Sequence, residues 1–414
     1  VPNTELIIRN ARLRHDLKQP VDLAISGGRI SQIGPRLDAT APQEIDAGGN
    51  LVTPSFVNPH MHLCKVWTLP MMSEEALLAY QNAGMSGAAA AIALASEVKK
   101  SYHASWITKN ARRAVALAAL YGTTHMRAFA DVDSKAKLEA VKALLAVREE
   151  FRGVVELEVV AFAQDGIVKD PGTDELMRDA MRLGADVVGG IPWIERSTAD
   201  MKAHVGFCFE LAAEYGKGVS MLLDDSGDAN LRTLEMMATE AIKRGWQGRA
   251  LAHHCRAMSA YPEPYLRDLL KLLIDANISI VSNPHTGPLH AKIPELRTAG
   301  INVCLGQDDI SDAYYPYGRN NMLEVAFLAS HLLWMMSRND METLYDMITV
   351  NSARALRLTD FGVVAGASAN LVVLDQADIT DALRFHGQPR AVISHGRLVD
   401  LNGMAALAAA AATE

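Results

Sequence analysis

The chain has only four cysteines in 414 residues, at positions 64, 208, 255 and 304, and no Cys-x-x-Cys. That spacing excludes a disulfide framework and predicts reduced thiols in a cytoplasmic protein. Basic blocks are also missing. Lys and Arg number 40 against 48 Asp and Glu, a formal net charge of −8, which argues against nucleic acid as a partner. No apolar run is long and clean enough to cross a bilayer, so no membrane partner is expected. The Ala-rich run 87–95 is far too short for a span and reads as part of a buried helix. The opening Val1-Pro2-Asn3-Thr4-Glu5 lacks a charged region before an apolar core, which predicts no signal peptide. Aromatics are scarce at 6%, and frequent Ala-rich stretches favour helices. No Gly-x-Gly-x-x-Gly follows an early strand, which counts against a doubly wound sheet.

What is present alternates. Short strands are expected at Leu6-Ile7-Ile8, Val21 to Ile25 and Arg29 to Ile33, with Gly27-Gly28 as a tight turn. A long middle section then offers eight candidate strands, at 56–58, 123–129, 155–162, 187–189, 219–223, 250–253, 278–282 and 301–306. Helical patterns lie between most of them, as at 134–151, 173–183, 201–215, 231–244 and 263–276. Eight strands alternating with helices fit an α/β chain with a (β/α)₈ TIM barrel. After Asp360 the pattern returns to β, at Asn370 to Asp375, Ala391 to Ser394 and Arg397 to Asp400. The expected organisation is a small β-sandwich domain formed by both termini, 1–54 plus 361–414, around a barrel domain at 55–360. The Ala-rich run from Met404 to Ala412 has helical propensity but few anchors, so its end is expected to fray.

Phe56-Val57-Asn58-Pro59-His60-Met61-His62 holds the most informative pair. On a strand, alternation places His60 and His62 on one face, and two neutral imidazoles side by side are half of a metal site. Taken alone, His-x-His also suits an ordinary strand. In a barrel, however, chemistry sits at the C-terminal strand ends. Those ends also present Gln164-Asp165, Asp224-Asp225, His253-His254, Asn283-Pro284-His285 and Gln307-Asp308-Asp309. Strand alternation sends His253 and His254 to opposite faces, so at most one faces the barrel mouth. Asp131 and Asp133 have a plain alternative as caps of the following helix.

Phe56–His62, Val160-Ala161-Phe162-Ala163-Gln164-Asp165-Gly166-Ile167, His254, Ser282-Asn283-Pro284 and Leu305-Gly306-Gln307-Asp308-Asp309 resemble the cytosine deaminase branch of the amidohydrolase superfamily. The aminohydrolases of N-isopropylammelide belong to the same neighbourhood. The resemblance runs over nearly the whole chain. It implies a hydrolase of the deaminase type, cutting a C–N bond of a small nitrogen heterocycle or cyclic amide. It further implies one divalent ion, zinc or iron, that lowers the pKa of a water. By residue-wise carry-over, His60, His62 and Asp308 match metal ligands, and Asp308 also takes the proton of the water. His254 matches the histidine that orients the water or polarises the substrate. Asp225 lies at the family's glutamate proton shuttle, and Gln164 at the side chain that binds the substrate ring. Trp67, Phe129 and Trp193 would supply a flat apolar wall. Asp309 counts among the substrate-binding residues, and Tyr314, Tyr315 and Tyr317 would line the mouth.

The departures fall at the pocket. The strand-five ligand histidine is replaced by Leu222, the shuttle glutamate by Asp225, and an aspartate two residues after the second histidine by Cys64. Phe129 stands at a frequent family histidine. Three outcomes stay open. The ion is retained, weakly, on three ligands with His254, Asp224 or a water filling the gap. The chain is a metal-free hydrolase or lyase. Or it is a catalytically inactive ligand-binding relative. Leu222 and Phe129 also shift the expected substrate from cytosine towards an N-substituted or bulkier heterocycle. A homo-oligomer is compatible with the chain.

Overall fold

A computed structural model describes residues 4–14, 16–75, 78, 92–93 and 95–410. Most of the Ala-rich run 87–95 and the last four residues lie outside the described residues. Strands β1 (Leu6–Leu13), β2 (Asp16–Ser26), β3 (Arg29–Gly34), β4 (Gln43–Asp46) and β5 (Leu51–Pro54) open the chain. They join β14 (Leu371–Val373), β15 (Ala391–Ser394) and β16 (Arg397–Leu398) in one mixed sheet, in the order β16-β15-β14-β5-β1-β2-β3, with β4 on β1. The termini therefore share a sheet because β5 pairs antiparallel with β14. The β2–β3 turn uses Gly27 and Gly28, both at positive φ (57° and 74°), the backbone that a tight primed hairpin turn requires. A separate apolar cluster, including Ile8, Leu23, Ile25, Leu371 and Ile393, forms the core of this sheet.

The remaining strands are β6 (Phe56–Met61), β7 (Thr123–Asp131), β8 (Glu156–Phe162), β9 (Val187–Gly190), β10 (Gly218–Leu223), β11 (Ala250–His254), β12 (Ser279–Ser282) and β13 (Val303–Leu305). They pair in parallel in sequence order. The first meets the end of the eighth at a parallel bridge between Met61 and Asp308. The result is an eight-stranded parallel near-barrel, as the sequence predicts. Its strands are largely buried on both faces, every residue of β6 and β7 included, so polar residues such as Asn58, His60, His125 and Arg127 lie inside the protein as well. Helices α1 (Ala104–Leu120), α2 (Glu139–Glu150), α3 (Thr173–Leu183), α4 (Thr198–Tyr215), α5 (Thr233–Lys243) and α6 (Glu263–Asp275) alternate with the strands. Helix α2 starts five residues later than expected. Asp133 Oδ1 accepts the N–H groups of Lys135 and Ala136, and Lys137 sits at φ 51°, so 134–138 forms separate turns. The four cysteines are buried and unbridged. Among the described residues no helix is long and apolar enough to cross a membrane.

Candidate active site

Barrel closure brings the two ends of the fold to one point. The His62 N–H donates to the Asp308 carbonyl at 2.8 Å, and the Asp308 N–H to the His60 carbonyl at 3.0 Å. Gly306 makes this approach possible, since a Cβ there would lie 2.7 Å from the Cβ of His60. The side chains then converge. His60 Nε2 lies 2.9 Å from Asp308 Oδ1 and 3.3 Å from His62 Nε2, and His62 Nε2 lies 3.7 Å from Asp308 Oδ1. Ligands about 2.1 Å from a tetrahedral ion stand about 3.4 Å from one another. Three buried donor atoms already at that spacing fit a divalent ion. Among the described residues they are the one such group of three.

The hydrogen bonds behind the ligands support one arm more than the other. His60 Nδ1 faces His253 Nδ1 at 2.6 Å, and His253 Nε2 faces Ser220 Oγ at 2.6 Å. With each imidazole donating outward along this chain, His60 Nε2 keeps its lone pair for an ion. His62 Nδ1 instead meets Lys65 Nζ at 3.3 Å. An ammonium there favours the tautomer with the proton on His62 Nε2 and opposes ligation. Lys65 also lies 3.4 Å from Asp131 Oδ1. Burial works against its charge, but Asp131 and the neighbouring acids, Asp309 and Asp312 among them, raise its pKa above the ordinary value. Burial, with Lys65 and His60 adding to it, pushes the His62 pKa well down, and burial takes His254 down to about 4, so both imidazoles are neutral near pH 7. Burial would raise the Asp308 carboxyl, but His254 and His60 outweigh it and hold it well below the usual range. Burial and the adjacent Asp308 and Asp312 push Asp309 well up.

A cavity opens beside the triad. Its polar side carries His62, Gln164, Asp225, His254, Arg256 and Asp309, and its apolar side Ile92, Ile191 and Leu222. His254 Nε2 stands 3.9 Å from Asp308 Oδ1 and 4.0 Å from Asp225 Oδ2. Gln164 Oε1 is buried without a partner among the described residues, an acceptor left for a ligand N–H. Positive φ at Asp224, His254, Cys255 and Asp308 concentrates backbone strain where β10, β11 and β13 end at the cavity.

Several expectations need correction. His253 and His254 do not take opposite faces, since their rings lie 4.6 and 4.9 Å from that of His60, but only His254 lines the cavity, so at most one of them faces the mouth, as expected. With φ 64° at His254 and 52° at Cys255 the strand ends and alternation fails. His253 lies beneath His60, 4.6 Å ring to ring, while His254 lines the cavity. Phe129 is fully buried under the pair, 4.6 Å from His60 and 5.3 Å from His62, and is no part of the cavity lining. Trp67 is also outside the lining. Its ring lies 4.1 Å from the Arg113 guanidinium. Trp193 packs in the core instead. Of the three tyrosines, Tyr314 lines the cavity, Tyr315 stacks edge-on with His285, and Tyr317 is exposed. Leu222 does face the cavity, beside its register partner His253. Arg256 and Thr286 line the cavity and were not anticipated. Arg256 follows His254 by two residues and Thr286 follows His285, so reading the strand ends slightly further would have found both.

Fold and site together define a (β/α)₈-barrel protein with a buried His-His-Asp group at the C-terminal strand ends. The chain belongs to the amidohydrolase family, whose model matches residues 43–400. It is 30% identical over 411 residues to the N-isopropylammelide isopropyl amidohydrolase of Pseudomonas sp. (strain ADP), covering 95% of this chain and 97% of that one. Among solved structures it is similar to 5-methylcytosine deaminase from Klebsiella pneumoniae liganded with phosphonocytosine, with 33% identity, a TM-score of 0.86, and 95% and 97% of the two chains covered. N-isopropylammelide isopropylaminohydrolase from Burkholderia multivorans is similar at 26% identity and a TM-score of 0.84, over 96% and 98%.

Proposed function

We propose that the chain is a metal-dependent hydrolase of the deaminase or aminohydrolase type, acting on a C–N bond of a small nitrogen heterocycle or cyclic amide. The carrying observation is the mutual spacing of His60 Nε2, His62 Nε2 and Asp308 Oδ1 at the ligand distances of a tetrahedral ion. A divalent ion there, zinc or iron, would supply Lewis-acid activation of a water. The chain's own groups then do the rest. Asp308 takes the proton of the attacking water, and His254, neutral and 3.9 Å away, orients that water or polarises the substrate. The proton taken by Asp308 is the one delivered to the departing nitrogen, carried by His254 or by Asp225, whose Oδ2 faces it, while Gln164 Oε1 accepts from a ring N–H. Asp309 lines the cavity with a buried Oδ1 that has no partner among the described residues, a further polar contact for the ring. Ile92, Ile191 and Leu222 give the cavity an apolar side that suits an N-alkyl or bulkier ring substituent better than bare cytosine.

Leu222 favours a second reading, a metal-free or catalytically inactive ligand-binding relative. One experiment separates the two. The protein is loaded with zinc or ferrous ion and assayed for release of ammonia or alkylamine from aminopyrimidines, N-alkylaminotriazines and cyclic amides. The metallohydrolase reading expects ion-dependent release. A chain that binds these rings in calorimetry but releases no amine with either ion supports the inactive relative.

A further inference from the structure

Arg256 and Thr286 hold no part in the chemistry above, yet both are buried in the cavity wall and reach its acids. Arg256 Nη1 lies 2.5 Å from Asp225 Oδ1. Its Nη2 donates to Thr286 Oγ1 at 2.6 Å and reaches the Asn283 carbonyl at 3.4 Å. Thr286 Oγ1 in turn lies 2.7 Å from Asp308 Oδ2 and 3.0 Å from the Asn283 carbonyl. A threonine hydroxyl has one proton. With Arg256 filling a lone pair, that proton goes to the nearer, ionised acceptor, Asp308 Oδ2. Gly287 leaves space for this packing, since a Cβ there would sit 3.2 Å from Arg256 Nε.

The two oxygens of Asp308 are thereby given different neighbours. Oδ1 faces His60, His62 and His254, and Oδ2 faces Thr286, with Arg256 Nη2 4.0 Å behind. We propose that Arg256 and Thr286 are positioning residues that lock Asp308 with Oδ1 towards His60 and His62, giving a three-ligand site rigidity in place of the ligand that Leu222 cannot supply. This rests on the metal-holding reading of the triad. The same contacts tie Asp225 to Asp308 and fix the separation of the two acids.

The test measures affinity for zinc ion alone, by competition with a chromophoric chelator, on the full chain. Thr286→Val keeps the side-chain shape and removes the hydroxyl. It is expected to weaken zinc binding by about 10–100-fold, the size of other losses behind a metal ligand. Thr286→Ser is expected to stay within about threefold of the parent, because the hydroxyl does the work. Arg256→Met is expected to follow Thr286→Val and replaces it as the test if that variant does not fold. A folded Thr286→Val with parental affinity, or Thr286→Ser as weak as Thr286→Val, overturns the relay and leaves the metal site standing. A parent chain that binds no zinc overturns the proposed function and the relay together.

Discussion

Leu222→His is the substitution whose effect follows most directly from the geometry. Leu222, next to last in β10, lies on the cavity wall shared with His62, His254 and Asp308, and only 4% of it is exposed. An imidazole there adds a fourth donor to three that already match a tetrahedral ion. A direct ligand is worth at least what a partner behind a ligand is worth, so zinc affinity should rise by about 10–100-fold or more, about 1.4–2.7 kcal/mol. Without an ion the same change replaces a packed leucine by a buried polar ring with no partner, a cost of about 1–3 kcal/mol. The two effects have opposite signs. Thermal unfolding in chelator should show a lower midpoint for Leu222→His than for the parent, and the gap should close or reverse in excess zinc. Chelator competition gives the affinity independently. Unchanged zinc affinity, together with an unchanged midpoint in chelator, would refute the placement of Leu222 at the site.

Lys99 is buried and lies 2.7 Å from both Asp133 and Asp165, so Lys99→Met leaves buried carboxylates without their cation. Urea unfolding should show a loss of about 3–5 kcal/mol, and a loss below about 1 would show that the cluster is solvated. His125 packs near the start of β7 against Phe361 and His395, and burial takes its pKa from 6.5 down to about 4. The unfolded state therefore binds the proton first, and this contribution to stability is complete above pH about 6.5 and lost as pH falls towards 4. His125→Gln should flatten the fall in unfolding midpoint between pH 7 and 4, and an unchanged slope would contradict the assignment. Gly306→Ala should push on His60, whose Cβ would be 2.7 Å away, and weaken zinc binding in the same chelator assay.

Much of this arrangement is legible in the chain because the barrel translates directly into pattern. Strands buried on both faces are rich in apolar residues, so all eight stood out, and the two-residue period put His60 and His62 side by side. Asp308 came from the family resemblance, and barrel closure gives its physical reason, because the segment after the eighth strand returns to the first. What did not come through was anything decided by an exceptional backbone or by direction in three dimensions. Positive φ at His254 breaks the alternation on which the reading of His253 depended. The start of α2 was displaced by a turn that Asp133 and Lys137 create together. Phe129 and Trp67 are aromatic residues close in sequence to the site, but composition holds no information on which way a ring points. One lies under the histidines and the other beneath Arg113. Arg256 was hidden by its chemistry, since a lone arginine normally marks a solvated face. Here Asp225, Thr286 and Asn283 compensate it inside the wall.

Everything proposed for the chemistry depends on His60, His62 and Asp308 holding an ion despite Leu222. Metal analysis of the purified chain by mass spectrometry, after incubation with zinc and removal of the excess, tests it most directly. The expected result is about one ion per folded chain, falling to background in His60→Ala and in Asp308→Ala. A folded chain that retains no zinc, or the same zinc content in both variants, would contradict it.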